Sequence, residues 1–475
     1  MNILAIDQGT SATKALLVGP GQRVLGTGEV PVAVEAAGDA IEVDPDDLLS
    51  SVLIAGQAAL TSARARADAV ALANQGETVL AWDRATGRPL TRAISWQDRR
   101  SAGVCARLFK HAALLANITG LPLDPYFAAP KMTWLREHYT DSGVVTTTDT
   151  WLLARLGADY VTDAATASRT MLLDLDAVDW SAEACAVFGI DRSSLPAVAD
   201  CAGIAGETAA FGRALPVAGL AVDQQAALLA ERCFEPGQAK CTYGTGAFLL
   251  ATTGEHAVRS SAGLSASVAW RVPGATAYCL DGQVYSAGAA VSWLMDVGIL
   301  ADPSELDAIG GTVRDGAGVV FVPALAGLGA PHWRPDARGA FLGLTLGASR
   351  AHLIRAAIDG LAGSVALLAR SVAGDLNRPL TTLRVDGGLT RSAVLLQAQA
   401  DLLQIPVEVC RLPDATALGV AALARLGLGA SVSLADAVGP ADVVRVVEPR
   451  MSADEAADRL AQFEAALSLA AGPGQ

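Results

Sequence analysis

Two glycine-threonine turns, more than two hundred residues apart, stand in nearly the same surroundings. Gln8-Gly9-Thr10 follows the apolar run 3–6, and Gly244-Thr245-Gly246 precedes the apolar run 247–251. Each pattern is typical of two strands joined by a tight turn. Glycine exposes bare backbone N–H groups and threonine adds a hydroxyl donor, which suits phosphate. Either turn alone would be an ordinary hairpin, but the pair indicates two related lobes around a nucleotide cleft.

The length of the chain also favours two domains. Its 475 residues exceed the roughly 250–300 that a single core usually serves. The second hairpin pattern starts after Glu235-Pro236-Gly237, so we expect domains over 1–232 and 233–475. With 52% hydrophobic and 18% charged residues, the composition is that of a soluble α/β enzyme.

Charge and hydropathy exclude several classes of partner. The net charge of −14 and the lack of a basic block argue against nucleic acid, whose phosphates attract clustered Lys and Arg. No apolar run reaches the 18 or so residues of a membrane span, and the chain starts without a cationic leader, which predicts a cytoplasmic protein. Seven widely spaced cysteines show no metal-ligand or redox spacing, so we expect buried, reduced thiols.

Strand and helix signals alternate along the chain. Asp44-Pro45-Asp46 predicts a helix start, because proline is tolerated in the first turn and acids favour the positive helix end. The apolar run 217–222 reads as a strand that ends at Asp223, the edge where open α/β sheets place their chemistry. On local sequence alone, Asp223 also fits an ordinary helix cap. Val385-Asp386-Gly387-Gly388 predicts a strand that runs into a glycine turn.

Several segments together resemble one protein family over nearly the whole chain. They are 7–10 (DQGT), 96–100 (WQDRR), 124–127 (DPYF) with Lys131 and Trp134, 163–170 (DAATASRT), 223–227 (DQQAA), 242–248 (TYGTGAF), 327–338 (GLGAPHWRPDAR) and 385–388 (VDGG). In this order they resemble the FGGY carbohydrate kinases, and among these most closely the glycerol kinases. The resemblance implies an α/β fold of two duplicated actin/hexokinase-like (ribonuclease H-like) domains around an ATP cleft.

The resemblance also implies where ATP and Mg²⁺ bind. Asp7 would repel phosphate unless a divalent cation lay between them, so it is the expected magnesium residue. The expected nucleotide-binding residues lie on both lobes and are Thr10, Ser11, Lys14, Thr245, Gly246, Gly288, Ser292, Gly387, Gly388 and Ser392. A pocket built from two lobes becomes competent for phosphoryl transfer when they close.

The substrate implied by the resemblance is a small polyol or sugar. Asp223 is the expected general base, which orients a hydroxyl and accepts its proton. The expected substrate-binding residues combine aromatic faces with hydrogen-bonding groups and are Gly76, Glu77, Trp96, Tyr126, Asp223, Gln224 and Phe248. Read singly, each aromatic residue would more commonly belong to a core.

Three positions depart from the glycerol kinase pattern. Gly76 stands where those enzymes typically carry an arginine that bonds a terminal glycerol hydroxyl, and water or Arg99 would have to fill its place. Ser292 and Ser392 replace longer amides on the adenine side. Glycerol remains the expected substrate. The alternatives are a larger polyol or ketose (a tetritol, pentitol, tetrulose or pentulose) and, from another class, a non-catalytic sugar sensor on the same fold. A homodimer or larger homo-oligomer is the expected assembly.

Overall fold

The computed structural model describes residues 1–471. Up to residue 230 it alternates strands and helices much as the sequence predicts. The strands are β1 (Ile3–Gln8), β2 (Ala12–Val18), β3 (Val24–Pro31), β4 (Val34–Ala37), β5 (Ala40–Val43), β6 (Ala69–Asn74), β7 (Val79–Trp82), β8 (Ala93–Ile94), β9 (Val144–Thr147), β10 (Val161–Asp163), β11 (Leu173–Asp174), β12 (Asp179–Trp180), β13 (Ala197–Ala199), β14 (Glu207–Thr208) and β15 (Leu215–Val222). The helices are α1 (Pro45–Ala63), α2 (Ala102–Leu108), α3 (Ala112–Thr119), α4 (Ala128–His138), α5 (Thr148–Leu156), α6 (Ala164–Ser168), α7 (Ala182–Phe188) and α8 (Asp223–Ala230).

The second half repeats the alternation with longer strands and helices. The strands are β16 (Gln238–Tyr243), β17 (Ala247–Gly254), β18 (Ser265–Val272), β19 (Ala275–Val284), β20 (Val320–Val322), β21 (Ala340–Leu342), β22 (Thr382–Gly387), β23 (Val407–Cys410) and β24 (Val443–Val447). The helices are α9 (Gly288–Asp296), α10 (Glu305–Ala308), α11 (Arg350–Asp375), α12 (Ala393–Leu403), α13 (Ala415–Gly427), α14 (Leu434–Val438) and α15 (Ala453–Ala471).

The two main sheets share one strand order. In the first, β3-β2-β1-β6-β15 run side by side, with β1 antiparallel to β2 and parallel to β6. In the second, β19-β17-β16-β22-β23 occupy the same places, with β16 antiparallel to β17 and parallel to β22. Each glycine-threonine turn therefore joins the first two strands of its own sheet. This confirms the duplication that the sequence indicates.

Local signals account for the helix starts that the sequence predicts. At α1, the Asp44 carboxylate accepts a hydrogen bond from the Asp46 backbone N–H, and Pro45 occupies the first turn.

Helix α11 is long and apolar enough for a membrane span by composition, but 72% of its apolar 18-residue window is buried in the protein, so it is a core helix. All seven cysteines are free and buried, as predicted.

The helices that follow the fifth strand of each sheet, α8 and α13, pack against each other. Helix α13, from the second half, also lies on the first sheet, where the backbone of β15 approaches it at Gly219. The Arg425 guanidinium donates hydrogen bonds to the carbonyls of Val18 and Gly19 at the end of β2. Helix α13 thus packs the second lobe against the first. Its partner α8 begins at Asp223, the expected catalytic residue.

The crossing of α8 and α13 depends on Gly419. A Cβ atom at this position would lie 1.9 Å from the carbonyl oxygen of Ala226. We therefore expect Gly419→Ala to destabilise the protein by about 1–3 kcal/mol, the range for an overpacked core. Gly374→Ala in α11 is the matched control, because its Cβ would meet no atom within 4 Å. Thermal unfolding checks the pair, and equal melting temperatures would contradict this account of the crossing.

Candidate active site

Asp7 and Asp223 lie at the same edge of the first sheet. Strands β1 and β15 both run parallel to β6 and flank it, so their carboxyl ends meet on one side. Asp7 is near the end of β1, and Asp223 is the first residue of α8, directly after β15. The two expected chemical residues therefore face one cleft.

The environment of Asp7 suits a hard cation. Burial, followed by the charge of Asp223, raises the pKa of the Asp7 carboxyl to about 8. Within residues 1–471 its side chain makes no hydrogen bond, although Lys14 stands opposite it on β2. A carboxylate that is costly to ionise, beside a second carboxylate, is relieved by a divalent ion with oxygen ligands. The two carboxylates present therefore fit Mg²⁺, and Asp7 would hold it as the sequence predicts.

A small pocket adjoins Asp223. Its volume is about 30 Å³, room for only a few water-sized groups. Both halves of the chain contribute to it. The polar and aromatic residues that line it are Glu77, Tyr126, Arg169, Asp223, Gln224, Gln225, Phe248 and Asp281. Five of the seven expected substrate residues are among them.

Trp96, the sixth, closes the aromatic wall from outside. Its ring centroid lies 5.5 Å from that of Tyr126 and 6.3 Å from that of Phe248, both in edge-on contacts. Its indole N–H donates to the Thr10 hydroxyl at 2.8 Å. Trp96 therefore connects the first phosphate turn directly to the substrate pocket.

Glu77 occupies a strained turn at the end of β6. Its φ of 58° is in the left-handed region, and the Thr78 N–H donates to the Gly76 carbonyl at 2.7 Å. Such backbone strain is concentrated at functional sites. The Arg169 Nε donates to Glu77 Oε1 at 2.6 Å. One carboxylate oxygen of Glu77 is thereby oriented, and the other remains for a ligand.

Gly76, the seventh expected residue, does not line this pocket. A Cβ atom there would lie 2.9 Å from Val222 Cγ2. Arg99 does not fill the place either, because its Nη1 pairs with the Asp124 carboxylate at 3.1 Å. Arg99 lies instead in an outer cavity of about 520 Å³ that also contacts Trp96 and Tyr126.

The two glycine-threonine turns carry the residues that the sequence predicts to bind phosphate. At the first, the Gly9 N–H donates to the Ala12 carbonyl, Ser11 is exposed, and Lys14 Nζ lies 3.7 Å from the Asp414 carboxylate. At the second, Thr245 is exposed at the tip. A Cβ at Gly246 would lie 2.7 Å from the Val284 carbonyl oxygen. The tip of this turn thus leaves a hydroxyl exposed to solvent.

Helix α9 begins against the second turn. The Gly288 N–H donates to the Gly244 carbonyl at 3.0 Å, and a Cβ on Gly288 would lie 2.6 Å from that oxygen. Ser292 is exposed one turn further along the helix. Gly288 therefore has a packing reason to be glycine as well as an expected nucleotide role.

Both glycines of the turn after β22 are exposed. Gly387 has a φ of 92°, and its Cβ would lie 2.4 Å from the Tyr243 carbonyl oxygen, so a side chain does not fit. Gly388 is exposed, and a Cβ there would meet only the Arg391 side chain, at 4.0 Å. Ser392 is buried, caps α12 and bonds the Asp307 carboxylate at 2.5 Å. Its hydroxyl is thus committed within the protein.

A buried polar layer supports Gln224 from below. The Lys240 ammonium donates to Gln224 Oε1 at 2.7 Å and to the Thr242 hydroxyl at 2.9 Å. Since lysine only donates, the amide NH₂ of Gln224 faces elsewhere and is available to a substrate.

Glu231, also buried, has two carboxyl oxygens without a hydrogen bond, and burial followed by the charge of Asp386 raises its pKa to about 8.

The Glu231 carboxyl should make the stability of the protein depend on pH. The folded protein holds the Glu231 proton up to about pH 8, whereas the unfolded chain releases it near the ordinary glutamate pKa of 4.5, so stability falls as pH rises between these two values. Glu231→Gln, which needs no proton, is expected to melt progressively higher than wild type between pH 5 and pH 8. Exposed Glu255→Gln is the control. A melting difference that is constant with pH would contradict the assignment.

Three side chains in or behind the pocket escaped the sequence prediction as functional residues. Arg169 bonds both Glu77 and Asp281, and Lys131 donates to the carbonyls of 125–127, which fixes the segment that carries Tyr126. Arg169 and Lys131 lie in segments that resemble the family, and that was the available signal. Asp281 lies in an apolar strand with no motif around it.

The duplicated fold and the pocket define a two-lobed phosphotransferase, with a glycine-threonine turn on each lobe and the Asp223 carboxylate in the pocket between them. The FGGY carbohydrate kinase models match residues 2–230 (N-terminal domain) and 239–428 (C-terminal domain). The chain belongs to the FGGY family of carbohydrate kinases. It is therefore an ATP-dependent kinase that uses Mg²⁺ and acts on an alcohol group.

Individual relatives agree with this assignment over nearly the whole chain. A glycerol kinase of Bordetella parapertussis is 41% identical, covering 99% of this chain and 97% of its own. One of Thermus brockianus is 44% identical, covering 91% of both. The crystal structure of Plasmodium falciparum glycerol kinase with ADP superposes with a TM-score of 0.92 at 29% identity, covering 99% and 98%.

Proposed function

We propose that the enzyme transfers the γ-phosphoryl group of ATP to a primary hydroxyl of glycerol and forms glycerol 3-phosphate. The observation that carries this is the small pocket of about 30 Å³ at Asp223, in which hydrogen-bonding side chains and aromatic faces meet, as a small polyol requires. The glycerol kinases at 41–44% identity support the same substrate.

Asp223 is the general base in this proposal. Its Oδ1 accepts the Gln224 backbone N–H at 2.6 Å, which orients the carboxylate and leaves Oδ2 for the hydroxyl. Burial raises the pKa of Asp223, which strengthens it as a base. As the proton moves to Asp223, the substrate oxygen bonds the γ-phosphorus and the bond to the β-phosphate oxygen breaks, releasing ADP.

The remaining residues position the two substrates. Glu77 and Tyr126 bond the polyol hydroxyls, while Phe248 and Trp96 cover its C–H edges. Thr10, Ser11 and Lys14 on the first lobe, with Thr245 and Gly246 on the second, hold the phosphates. Gly288, Gly387 and Gly388 let the backbone approach the nucleoside. Mg²⁺ held by Asp7 would neutralise charge on the β- and γ-phosphates. We also propose a cytoplasmic enzyme and a homodimer or larger homo-oligomer, which light scattering tests.

A coupled ADP-release assay over glycerol, erythritol, pentitols, tetruloses and pentuloses tests the proposal. We expect glycerol to have the highest kcat/KM. If a four- or five-carbon substrate exceeded glycerol tenfold, the substrate would be wrong. If no substrate exceeded the background of the Asp223→Asn variant, kinase activity itself would be absent.

Gly76→Arg tests separately whether glycine at position 76, in place of the arginine typical of glycerol kinases, affects substrate choice. We expect a lower KM for glycerol and poorer turnover of longer substrates, since an added guanidinium would supply a donor and fill space. The new side chain must displace Val222, whose Cγ2 lies 2.9 Å from the Cβ site. Steady-state kinetics on glycerol and xylitol measure the effect, with Gly103→Arg, whose Cβ meets no atom within 4 Å, as the control. An unchanged ratio of kcat/KM values would mean that residue 76 does not reach the substrate.

A further inference from the structure

Arg169 is the one cationic side chain that lines the substrate pocket within residues 1–471. It follows α6, is 4% exposed, and lies between carboxylates of both lobes. Its Nε donates to Glu77 Oε1 at 2.6 Å and its Nη1 to Asp281 Oδ2 at 2.5 Å. The guanidinium is therefore held in a fixed plane by two charge-assisted hydrogen bonds.

These bonds leave part of the guanidinium free. Arginine has five N–H donors in a rigid fork, and within the described chain Nη2 of Arg169 makes no hydrogen bond. Because Arg169 lines the pocket and its other two nitrogens are engaged, Nη2 is the donor that remains for a ligand. A free donor on a side chain that is only 4% exposed gains a partner when a hydroxyl binds.

The pocket needs such a donor. Each polyol hydroxyl both donates and accepts, whereas Glu77, Asp223 and Asp281 provide acceptors only. Gln224 provides the two N–H donors of one amide, Tyr126 provides one hydroxyl, and Gly76 provides no side chain at all. Arg169 is therefore the charged donor among the groups that line the pocket.

We propose that Arg169 is a substrate-binding residue, whose Nη2 donates to a glycerol hydroxyl other than the one that is phosphorylated. In doing so it supplies the charged donor that residue 76 does not. This inference rests on the proposed function. The alternative is a purely structural Arg169, which joins the lobes through Glu77 and Asp281.

Substrates that lack one hydroxyl separate the two roles. 1,2-Propanediol and 1,3-propanediol are glycerol without a terminal or the central hydroxyl. We expect Arg169→Lys, which keeps the charge but loses the fork, to lower kcat/KM on glycerol by about 10- to 100-fold, as for a charged hydrogen bond. For the diol that lacks the hydroxyl bound by Nη2, Arg169→Lys should lower kcat/KM by less than about threefold. Where a diol is not turned over, its inhibition constant against glycerol serves instead.

Asp281→Asn is the second variant, in case Arg169→Lys does not fold. It retains Arg169 but weakens the anchor of Nη1, so KM for glycerol should rise about three- to tenfold, with the same diol unaffected. Melting temperatures monitor folding. A structural Arg169 would give equal losses on glycerol and both diols in either variant, which would overturn the proposal while glycerol kinase activity stood. A wild-type enzyme that is inactive on glycerol would contradict both the role of Arg169 and the proposed function.

Discussion

Replacing Asp223 by asparagine is expected to lower kcat for glycerol by about 10²- to 10⁴-fold, the usual contribution of a general base. The amide can still accept the Gln224 N–H through its oxygen, as Asp223 Oδ1 does at 2.6 Å, but it cannot take up the substrate proton. KM for glycerol should change less than about threefold. Steady-state ADP release with saturating ATP measures both constants.

The control for Asp223→Asn is Asp458→Asn, the same chemical change at an exposed position on α15. It should retain wild-type kcat and melting temperature. A variant at Asp223 that kept more than about a tenth of wild-type kcat would show that another group accepts the proton.

Replacing Asp7 by asparagine is the second large effect. The loss of the carboxylate that fits Mg²⁺ should reduce kcat by about 10²- to 10³-fold, comparable to removing one preorganised electrostatic contact. It should also raise the Mg²⁺ concentration for half-maximal activity. Because burial and the neighbouring Asp223 raise the pKa of Asp7 to about 8, the neutral amide should fold at least as stably as wild type at alkaline pH.

A Mg²⁺ titration of activity, run at fixed total ATP for wild type, Asp7→Asn and Asp458→Asn, measures this effect. An unchanged Mg²⁺ midpoint in the Asp7 variant would place the ion elsewhere. A lower melting temperature at pH 9 would instead indicate that Asp7 is needed for folding.

Local chemistry explains what the sequence predicts well. Neighbouring residues determine the turns at Gly9 and Gly244 and the capped start of α1. They also determine the strand that ends directly before Asp223. The family resemblance then supplied the pairing of such elements into duplicated lobes, which the shared strand order confirms. The roles of the individual site residues stay predictions until the variants are measured.

Long-range contacts explain what the sequence does not predict. Arg169 and Asp281 are 112 residues apart, and no local pattern indicates that they meet. The same holds for the indole of Trp96 on the Thr10 hydroxyl. At Ser392, the bond to the Asp307 carboxylate is equally hard to predict from the sequence, because it depends on where α10 packs.

The packing of α13 on the first sheet has a consequence for biosynthesis. One face of that sheet is covered by residues 415–427, which leave the ribosome about 195 residues after the strand β15 and helix α8 are complete. At roughly 5–20 residues per second, the nascent first lobe waits about 10–40 seconds with an apolar face uncovered. We therefore expect the amino-terminal half released alone to aggregate, and co-expression of the two halves as separate chains to recover soluble protein.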